Sequence, residues 1–347
     1  MTPLTRLKRY LRSVSGLDAL IAVREALQAQ QDGLRHAVAA RQQEMKKIET
    51  LTVPLKGDYY ARPARPSMQE YWSRHNVTAH RRFASAEESA EYLDLRNSLY
   101  PGYIELMPVA GFDDKVILDY GCGPGNDLVG FSIYSRPRHL IGVDISPPSL
   151  EEARERLALH GATAELIHVP YGTYELPIET GSVDYVHCSG VLMYLEDPVR
   201  LLREFRRVLR PDGVVRLMVY NYDSIWLHLY VAYVVQLENG LYTDREVREA
   251  FSRTTDGEDC PLVQVWNRAE IGAMAAEAGF DARWLGAAVS LWELHILPKR
   301  YRAAMDPRLR PESRKFLLEL RLDQDGLPVW RGRRAGIDGC YELRPKA

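Results

Sequence analysis

Short apolar runs alternate with longer segments of helical spacing through the middle of the chain. The helical segments include 149–160 and 199–209, and the second would bury Phe205 with its neighbouring leucines on one face. Five apolar runs predict buried parallel strands: 116–118, 140–143, 164–168, 182–188 and 214–220. Strands that alternate with helices in this way are typical of an α/β fold built on a parallel sheet.

A glycine-rich turn follows the first predicted strand, in the sequence VILDYGCGPGNDL. Three glycines lie in this turn: Gly121, Gly123 and Gly125. Glycine permits backbone angles that a Cβ would obstruct, and it lets a ligand come close to the main chain. Asn126 and Asp127 are expected to cap the following helix, whose free N–H groups would face the same ligand. The turn therefore predicts a nucleotide-like ligand at the end of the first strand.

The second predicted strand ends in Asp144. An acidic residue at this place in a βαβ unit can accept hydrogen bonds from both ribose hydroxyls of a nucleoside ligand. With this residue the chain resembles the class I S-adenosylmethionine-dependent methyltransferases, whose D/E-x-G-x-G-x-G motif matches Asp119 to Gly125. A nicotinamide-dependent dehydrogenase is the competing interpretation, but its G-x-G-x-x-G pattern would place a glycine where this chain has Asn126.

The resemblance is specific over 116–221, and it implies S-adenosylmethionine as the cofactor. It also implies a Rossmann-like, seven-stranded, mostly parallel sheet with helices on both faces. The last helix would cover 268–278, the sixth strand 284–291, and a returning antiparallel strand 336–343. The cofactor is expected to contact the motif and the loops after the following strands, at Asp119, Gly121, Cys122, Gly123, Pro124, Gly125, Asp144, Ile145, Tyr171, Thr173 and Ser189.

The chain departs from the resembled family at the adenine site. Many relatives carry an aspartate upstream of a Leu-Pro pair, where it binds the adenine amino group. When Leu176 and Pro177 are taken as that pair, the position of the aspartate falls at Gly172. Adenine recognition is then expected from backbone groups or from Tyr171 and Thr173.

The remaining segments predict additions around the methyltransferase domain. The predicted organisation is an N-terminal helical extension over 1–53, a linker over 54–66, a helical lid over 67–114, and the methyltransferase domain over 115–347 with substrate-cap insertions at about 222–266 and 293–335.

Two hypotheses concern the N-terminal extension. Leucines spaced by seven in 18–51 predict a short coiled coil and a homodimer, although a single long helix packed on the body is the alternative. The basic amphipathic segment 1–16 predicts peripheral contact with a membrane surface, or a short helix that packs on a neighbour.

Composition narrows the classes of partner. The hydrophobic fraction of 46% and the charged fraction of 27% suit a globular protein, and a net charge of -2 gives no reason to expect nucleic acid. The four cysteines are far apart, which indicates a reducing, cytoplasmic location without structural zinc. No H-x-x-H pattern or carboxylate cluster points to a metal.

Methyl transfer from a sulfonium requires an aligned acceptor and, for a hydroxyl acceptor, a base. His187, near the end of the fourth strand, is the first candidate for that base. His228, His75 and Tyr194 follow, with Asp256 and Asp259 as further candidates. The sequence favours O-methylation of a glycan or of a small-molecule hydroxyl. The alternatives are a small-molecule N-methyltransferase of secondary metabolism and a non-catalytic, cofactor-binding scaffold subunit.

Overall fold

A computed structural model describes residues 66–346 of the chain. Ten strands lie within that range: β1 (Val116–Tyr120), β2 (His139–Asp144), β3 (Glu165–His168), β4 (Val183–Ser189), β5 (Leu209–Tyr220), β6 (Phe280–Ala288), β7 (Arg321–Leu322), β8 (Pro328–Trp330), β9 (Arg333–Arg334) and β10 (Asp338–Pro345). Seven of them form the central sheet in the order β3-β2-β1-β4-β5-β10-β6, and β7, β8 and β9 form a small separate sheet.

Helices account for most of the rest of the described range. The α-helices are α1 (Met68–Arg74), α2 (Ala86–Ser98), α3 (Tyr103–Leu106), α4 (Asn126–Tyr134), α5 (Pro147–Leu159), α6 (Pro198–Val208), α7 (Val247–Thr254), α8 (Arg268–Glu277), α9 (Leu291–Ile296), α10 (Arg300–Met305) and α11 (Pro311–Glu319). Short 3₁₀ helices cover Leu192–Tyr194 and Leu297–Lys299, and a π-helix covers Trp226–Glu238.

Helices cover both faces of the sheet, and the side chains of β1 alternate between the two apolar clusters that result. Ile117 packs with Phe131 of α4 and Leu157 of α5, whereas Leu118 packs with Phe205 of α6. This alternation explains why residues 116–118 are apolar without interruption, as the sequence predicted for a buried parallel strand.

The topology confirms the predicted fold class. β1 pairs in parallel with both β2 and β4, β4 pairs in parallel with β5, and β10 runs antiparallel between β5 and β6. The strand order reverses between β1 and β4. In open α/β sheets such a reversal opens a crevice at the carboxyl ends of the strands, and ligands bind there.

The sixth strand differs from the prediction in its position along the chain. It was expected over 284–291, but β6 ends at Ala288. Ser290 instead caps α9 through a reciprocal pair of contacts with Glu293, because its hydroxyl accepts from the Glu293 amide while that carboxylate accepts from the Ser290 amide.

The predicted additions fall partly within the described range. Residues 67–114 contain α1, α2 and α3, while the 222–266 insertion contains the π-helix and α7. The predicted coiled coil, the basic N-terminal helix and most of the linker lie outside the described residues, and the domain boundaries stay predictions. No helix within 66–346 is both long enough and apolar enough to cross a membrane.

Asp338 opens β10 as a buried carboxylate, in register with Tyr220 on one side and Ala288 on the other. Burial raises the pKa of Asp338 to about 8, and the nearby charge of Glu293 adds to the effect. Between about pH 4 and pH 8 the unfolded chain releases this proton while the folded protein retains it. The contribution of Asp338 to the free energy of unfolding therefore decreases as the pH rises through that window.

Asp338→Asn is accordingly expected to stabilise the protein at alkaline pH, by about 1–3 kcal/mol near pH 8 and by much less near pH 5. Urea denaturation at the two pH values measures the difference. Asp212→Asn, which changes an exposed aspartate of β5, is the control. A stability change for Asp338→Asn that is the same at both pH values would contradict the assignment.

Candidate active site

The glycine-rich turn lies between β1 and α4, at the carboxyl edge of the sheet. Gly121 has φ +79°, a left-handed conformation, and a Cβ built there would lie 2.1 Å from Val191 Cγ2. Gly123 has φ +51°, and a Cβ there would meet no atom within 4 Å. The turn therefore packs tightly at Gly121 and leaves open space beside Gly123, as a main chain that a ligand approaches requires.

The expected helix cap is wrong in detail. Gly125, with φ +80°, precedes α4, and no side chain caps the helix. Asn126 and Asp127 lie in its first turn and bind arginines instead: Asn126 accepts from Arg156, and Asp127 pairs with Arg96. The free N–H groups at this end of α4 are consequently left without a side-chain cap.

Asp144 joins the end of β2 to the turn. Its Oδ2 accepts a hydrogen bond of 2.8 Å from the Gly123 amide, and its Oδ1 accepts one of 2.7 Å from the Ser146 amide. Burial raises the pKa of Asp144 to about 6, although both amide contacts oppose the rise. A carboxylate held in this way at a strand tip is placed to accept from ribose hydroxyls.

A cleft lies over these groups. Its floor and walls come from the ends of β1 and β2 and from the loops after β2, β3 and β4, and Met68 and Trp72 of α1 cover it. The residues that line it are Met68, Trp72, Tyr120, Gly121, Val143, Asp144, Ile145, Val169, Pro170, Tyr171, Gly172, Thr173, Tyr174, Val191, Tyr194 and Leu195.

The cleft gathers several of the predicted cofactor residues. Ile145, Tyr171 and Thr173 line it with Gly121 and Asp144. The Tyr171 hydroxyl donates to the Tyr194 carbonyl oxygen at 3.0 Å, so this ring is fixed in the wall. Gly172 also lines the cleft. It stands where the resembled family carries the aspartate that binds adenine, so this loop offers no carboxylate at that position.

Three predicted cofactor residues support the turn or lie beside the cleft. The Cys122 amide donates to the Val143 carbonyl oxygen at 3.0 Å, and the Pro124 carbonyl accepts from Arg156 at 3.4 Å. Ser189 ends β4, and its hydroxyl shares a 2.7 Å hydrogen bond with the Tyr103 hydroxyl. Their assignment as cofactor contacts stays a prediction.

A buried charged network lies beneath the turn. Arg96 of α2 pairs with Asp127, and His187 Nε2 lies 3.4 Å from the other oxygen of that carboxylate. Burial alone would raise the pKa of Asp127, but the Arg96 and His187 charges bring it below its ordinary value. Asp119 is the neighbouring carboxylate, and burial raises its pKa to about 7.

Asp119 provides a test of whether the implied cofactor fits. Its Oδ2 is buried and has no hydrogen-bond partner, and an orphaned carboxylate oxygen is unusual in a folded protein. S-adenosylmethionine carries an α-ammonium group, a charged donor of the kind this oxygen lacks. With Asp144 available for the ribose and an open turn beside Gly123, the residues present fit this cofactor.

The two histidine candidates lie outside the residues that line the cleft. His187 is fully buried in β4, edge-on to Phe131 and hydrogen-bonded through Nδ1 to the Tyr185 hydroxyl at 3.4 Å. His228 is buried in the π-helix, where Nδ1 lies 3.0 Å from the Ser313 hydroxyl. Burial lowers the pKa of His228 to about 3. Of His187, His228 and Tyr194, Tyr194 alone is among the residues that line the cleft.

Tyr220 and Val191 were missed by sequence reasoning. Tyr220 ends β5, and its hydroxyl lies 3.0 Å from that of Tyr194. Val191 packs against Gly121 and lines the cleft. Their positions at the carboxyl ends of β5 and β4 could have indicated that they lie near the cleft. Parallel strands all end at the edge of the sheet where the glycine-rich turn lies.

Within residues 66–346, no group of three or more histidine, cysteine, aspartate or glutamate side chains is arranged to hold a metal ion.

Comparison with known proteins agrees with the geometry. Residues 118–217 match the family model described as a methyltransferase domain. This stretch covers β1 through most of β5 and so includes the turn, Asp144 and Tyr194. This part of the chain is therefore a methyltransferase domain.

Two curated relatives show how far the similarity extends. An uncharacterised 37.1 kDa protein in transposon TN4556 of Streptomyces fradiae is 33% identical over 168 residues, or 48% of this chain and 42% of that protein. The ubiquinone biosynthesis O-methyltransferase of Neisseria meningitidis is 31% identical over 124 residues, or 34% of this chain and 50% of that protein. The chain thus spans half or less of the length of these relatives.

Among solved structures, the YcgJ protein of Bacillus subtilis is similar with a TM-score of 0.46 and 17% identity. The similarity covers 74% of this chain and 99% of that one.

Proposed function

We propose that this protein transfers the methyl group of S-adenosylmethionine to a hydroxyl group of a small molecule or glycan. The observation that carries the proposal is the cleft itself, which holds Asp144, Gly121 and the hydroxyl-bearing Tyr194 together. The first two suit the nucleoside of the methyl donor, and the third offers a polar group to an acceptor.

The residues of the chain supply binding and alignment. Asp144 would hold the ribose and Asp119 the ammonium group, so the donor would be fixed at two separated points. Met68 and Trp72 of α1 add apolar side chains to the lining of the cleft. When bound, S-adenosylmethionine supplies a methyl group on a positively charged sulfur. An acceptor held in line with that group gains several kcal/mol from positioning alone.

Two further observations favour a hydroxyl group as the acceptor. The relative from Neisseria meningitidis is named as an O-methyltransferase, and the 222–266 insertion adds half-buried aromatic rings, including Trp226 and Tyr230, which lie 4.7 Å apart. Such rings stack on the apolar faces of sugars and phenols. A hydroxyl acceptor also agrees with the location of Tyr194 in the cleft wall.

A labelled-methyl assay tests the proposal. The full chain is incubated with methyl-labelled S-adenosylmethionine and separate panels of catechols, mono- and oligosaccharides, and primary amines, and products are identified by mass spectrometry. We expect label in a hydroxyl acceptor. Label in amines alone would support the N-methyltransferase instead, and cofactor binding without transfer to any panel would support the scaffold subunit.

A further inference from the structure

Three side chains form a continuous hydrogen-bonded row that leads away from the cleft. The Tyr194 hydroxyl lies 3.0 Å from the Tyr220 hydroxyl, and the Tyr220 hydroxyl donates to Asp256 Oδ1 at 2.8 Å. They come from three separate parts of the chain: the 3₁₀ helix after β4, the end of β5, and the loop after α7. The row therefore connects the cleft wall to a carboxylate in the insertion.

The directions of the hydrogen bonds in this row follow from counting protons. A tyrosine hydroxyl has a single hydrogen, and Tyr220 gives its hydrogen to Asp256. The contact between the two tyrosines then has Tyr194 as the donor. All the O–H bonds point toward Asp256, so the Tyr194 oxygen keeps its lone pairs for a donor that arrives in the cleft.

Two hydrogen bonds hold the loop that carries Asp256. The Tyr71 hydroxyl of α1 donates to the Asp256 carbonyl oxygen, and the neighbouring Thr255 hydroxyl accepts from Trp226 Nε1 at 3.2 Å. Asp256 Oδ2 is buried and has no hydrogen-bond partner. The loop is thus anchored while one of its carboxylate oxygens remains able to take up a proton.

We propose that Tyr194, Tyr220 and Asp256 form a proton relay that removes the proton of a hydroxyl acceptor during methyl transfer. The inference rests on the proposed function and adds to it the route by which the proton leaves. Tyr194 is the group that would touch the acceptor, whereas Tyr220 and Asp256 act through it as positioning residues.

The relay keeps atoms and electrons balanced. The acceptor oxygen uses a lone pair to bond to the methyl carbon as the carbon–sulfur bond breaks, and that electron pair stays on the sulfur. The acceptor proton passes to the Tyr194 oxygen, the Tyr194 proton to Tyr220, and the Tyr220 proton to Asp256. Asp256 ends as a neutral carboxylic acid and returns its proton to solvent before the next cycle.

The environment of Asp256 suits this role. Burial raises the pKa of Asp256 to about 6, against the opposing effect of the hydrogen bond from Tyr220. The titratable groups that face it are Tyr194, Tyr220 and Tyr71, and the charge of Asp256 also reaches Tyr100 and Asp338. A base with a pKa near the working pH is the efficient choice for proton removal.

The first arm of the test needs no acceptor. Infrared difference spectra of the S-adenosylhomocysteine complex are recorded from about pH 4 to pH 9 for the wild type and for Asp256→Asn. We expect a carboxylic acid band, absent from the variant, that titrates near pH 6. Tyr220→Phe removes a hydrogen bond to the carboxylate and is expected to move that midpoint upward. A midpoint near 4, or one that Tyr220→Phe leaves unchanged, overturns the relay.

The second arm follows turnover of the hydroxyl compound that the panels identify. Tyr194→Phe is expected to lower kcat about 100-fold, the scale of general base catalysis, while S-adenosylhomocysteine affinity changes by less than about threefold. Wild-type kcat should rise about tenfold between pH 5 and pH 7 and level off above pH 7. Asp256→Asn should remove this rise, and Asp256→Glu should restore part of it.

Tyr222→Phe is the matched control, because it deletes a tyrosine–carboxylate hydrogen bond of 3.0 Å to Glu312 at an exposed site. Its kcat should equal that of the wild type. A pH profile that Asp256→Asn does not alter overturns the relay and leaves the methyltransferase proposal standing. Absence of transfer to every hydroxyl compound overturns the proposed function, and with it the role of the row in methyl transfer, even where the infrared titration succeeds.

Discussion

Gly121→Ala is expected to weaken binding of S-adenosylhomocysteine by about 100-fold or more. A left-handed φ costs a non-glycine residue about 1–3 kcal/mol, and φ at this position is +79°. The added Cβ would also lie 2.1 Å from Val191 Cγ2, so the turn or the wall of the cleft must shift. The strained turn relieves both effects by moving away from the position at which it binds the ligand. Since 1.4 kcal/mol corresponds to about tenfold in affinity, the expected loss corresponds to about 3 kcal/mol of contacts between the turn and the ligand. Isothermal titration calorimetry measures it.

Gly111→Ala is the control for backbone strain, because it introduces a strained φ without the contact that a Cβ at position 121 makes with Val191. Gly111 has φ +89°, and a Cβ there would meet nothing within 4 Å. This variant should lose some stability yet bind the ligand as the wild type does. Adding Val191→Ala to Gly121→Ala removes the contacting methyl groups and should recover part of the affinity. Unchanged affinity in Gly121→Ala alone would mean that the turn is not the cofactor site.

Asp144→Ala should reduce S-adenosylhomocysteine affinity about 100-fold as well, for a different reason. Hydrogen bonds to a charged group contribute about 1.5–3 kcal/mol, and this carboxylate serves both the expected ribose contacts and the amides of Gly123 and Ser146. The variant therefore loses ligand contacts and loosens the turn. Calorimetry at constant pH measures the change in affinity, and circular dichroism shows whether the fold is retained.

Asp144→Asn keeps the shape of the side chain and one acceptor oxygen, so its loss should be smaller than that of Asp144→Ala. Asp113→Ala is the control, because Asp113 is an exposed carboxylate that precedes β1, at the other end of that strand from the cleft. A full-affinity Asp144→Ala would contradict the assignment of the ribose contact.

The fold was readable from the sequence where local patterns are strong. Buried parallel strands such as β1 are apolar on both faces, and a glycine-rich turn after such a strand has few other structural uses. The helix start was less readable, because Asn126 and Asp127 have good capping side chains but are held by Arg156 and Arg96, which lie far away in sequence.

The candidate bases also depend on contacts between residues that are far apart in sequence. His187 and Tyr194 both lie near the carboxyl edge of β4, and only the three-dimensional packing shows that His187 is buried against Phe131 while Tyr194 lines the cleft. Asp256 belongs to a polar loop with no periodic pattern, and its contact with Tyr220 spans 36 positions. Sequence spacing carries no information on such a contact.

The proposed methyl transfer depends on binding of S-adenosylmethionine in the cleft through Asp144 and the glycine-rich turn. A calorimetric titration of S-adenosylhomocysteine into the full wild-type chain tests it most directly. We expect one site per chain with micromolar or tighter affinity, and competition by S-adenosylmethionine but not by NAD. Absence of binding at millimolar ligand, or preferential binding of NAD, would contradict it.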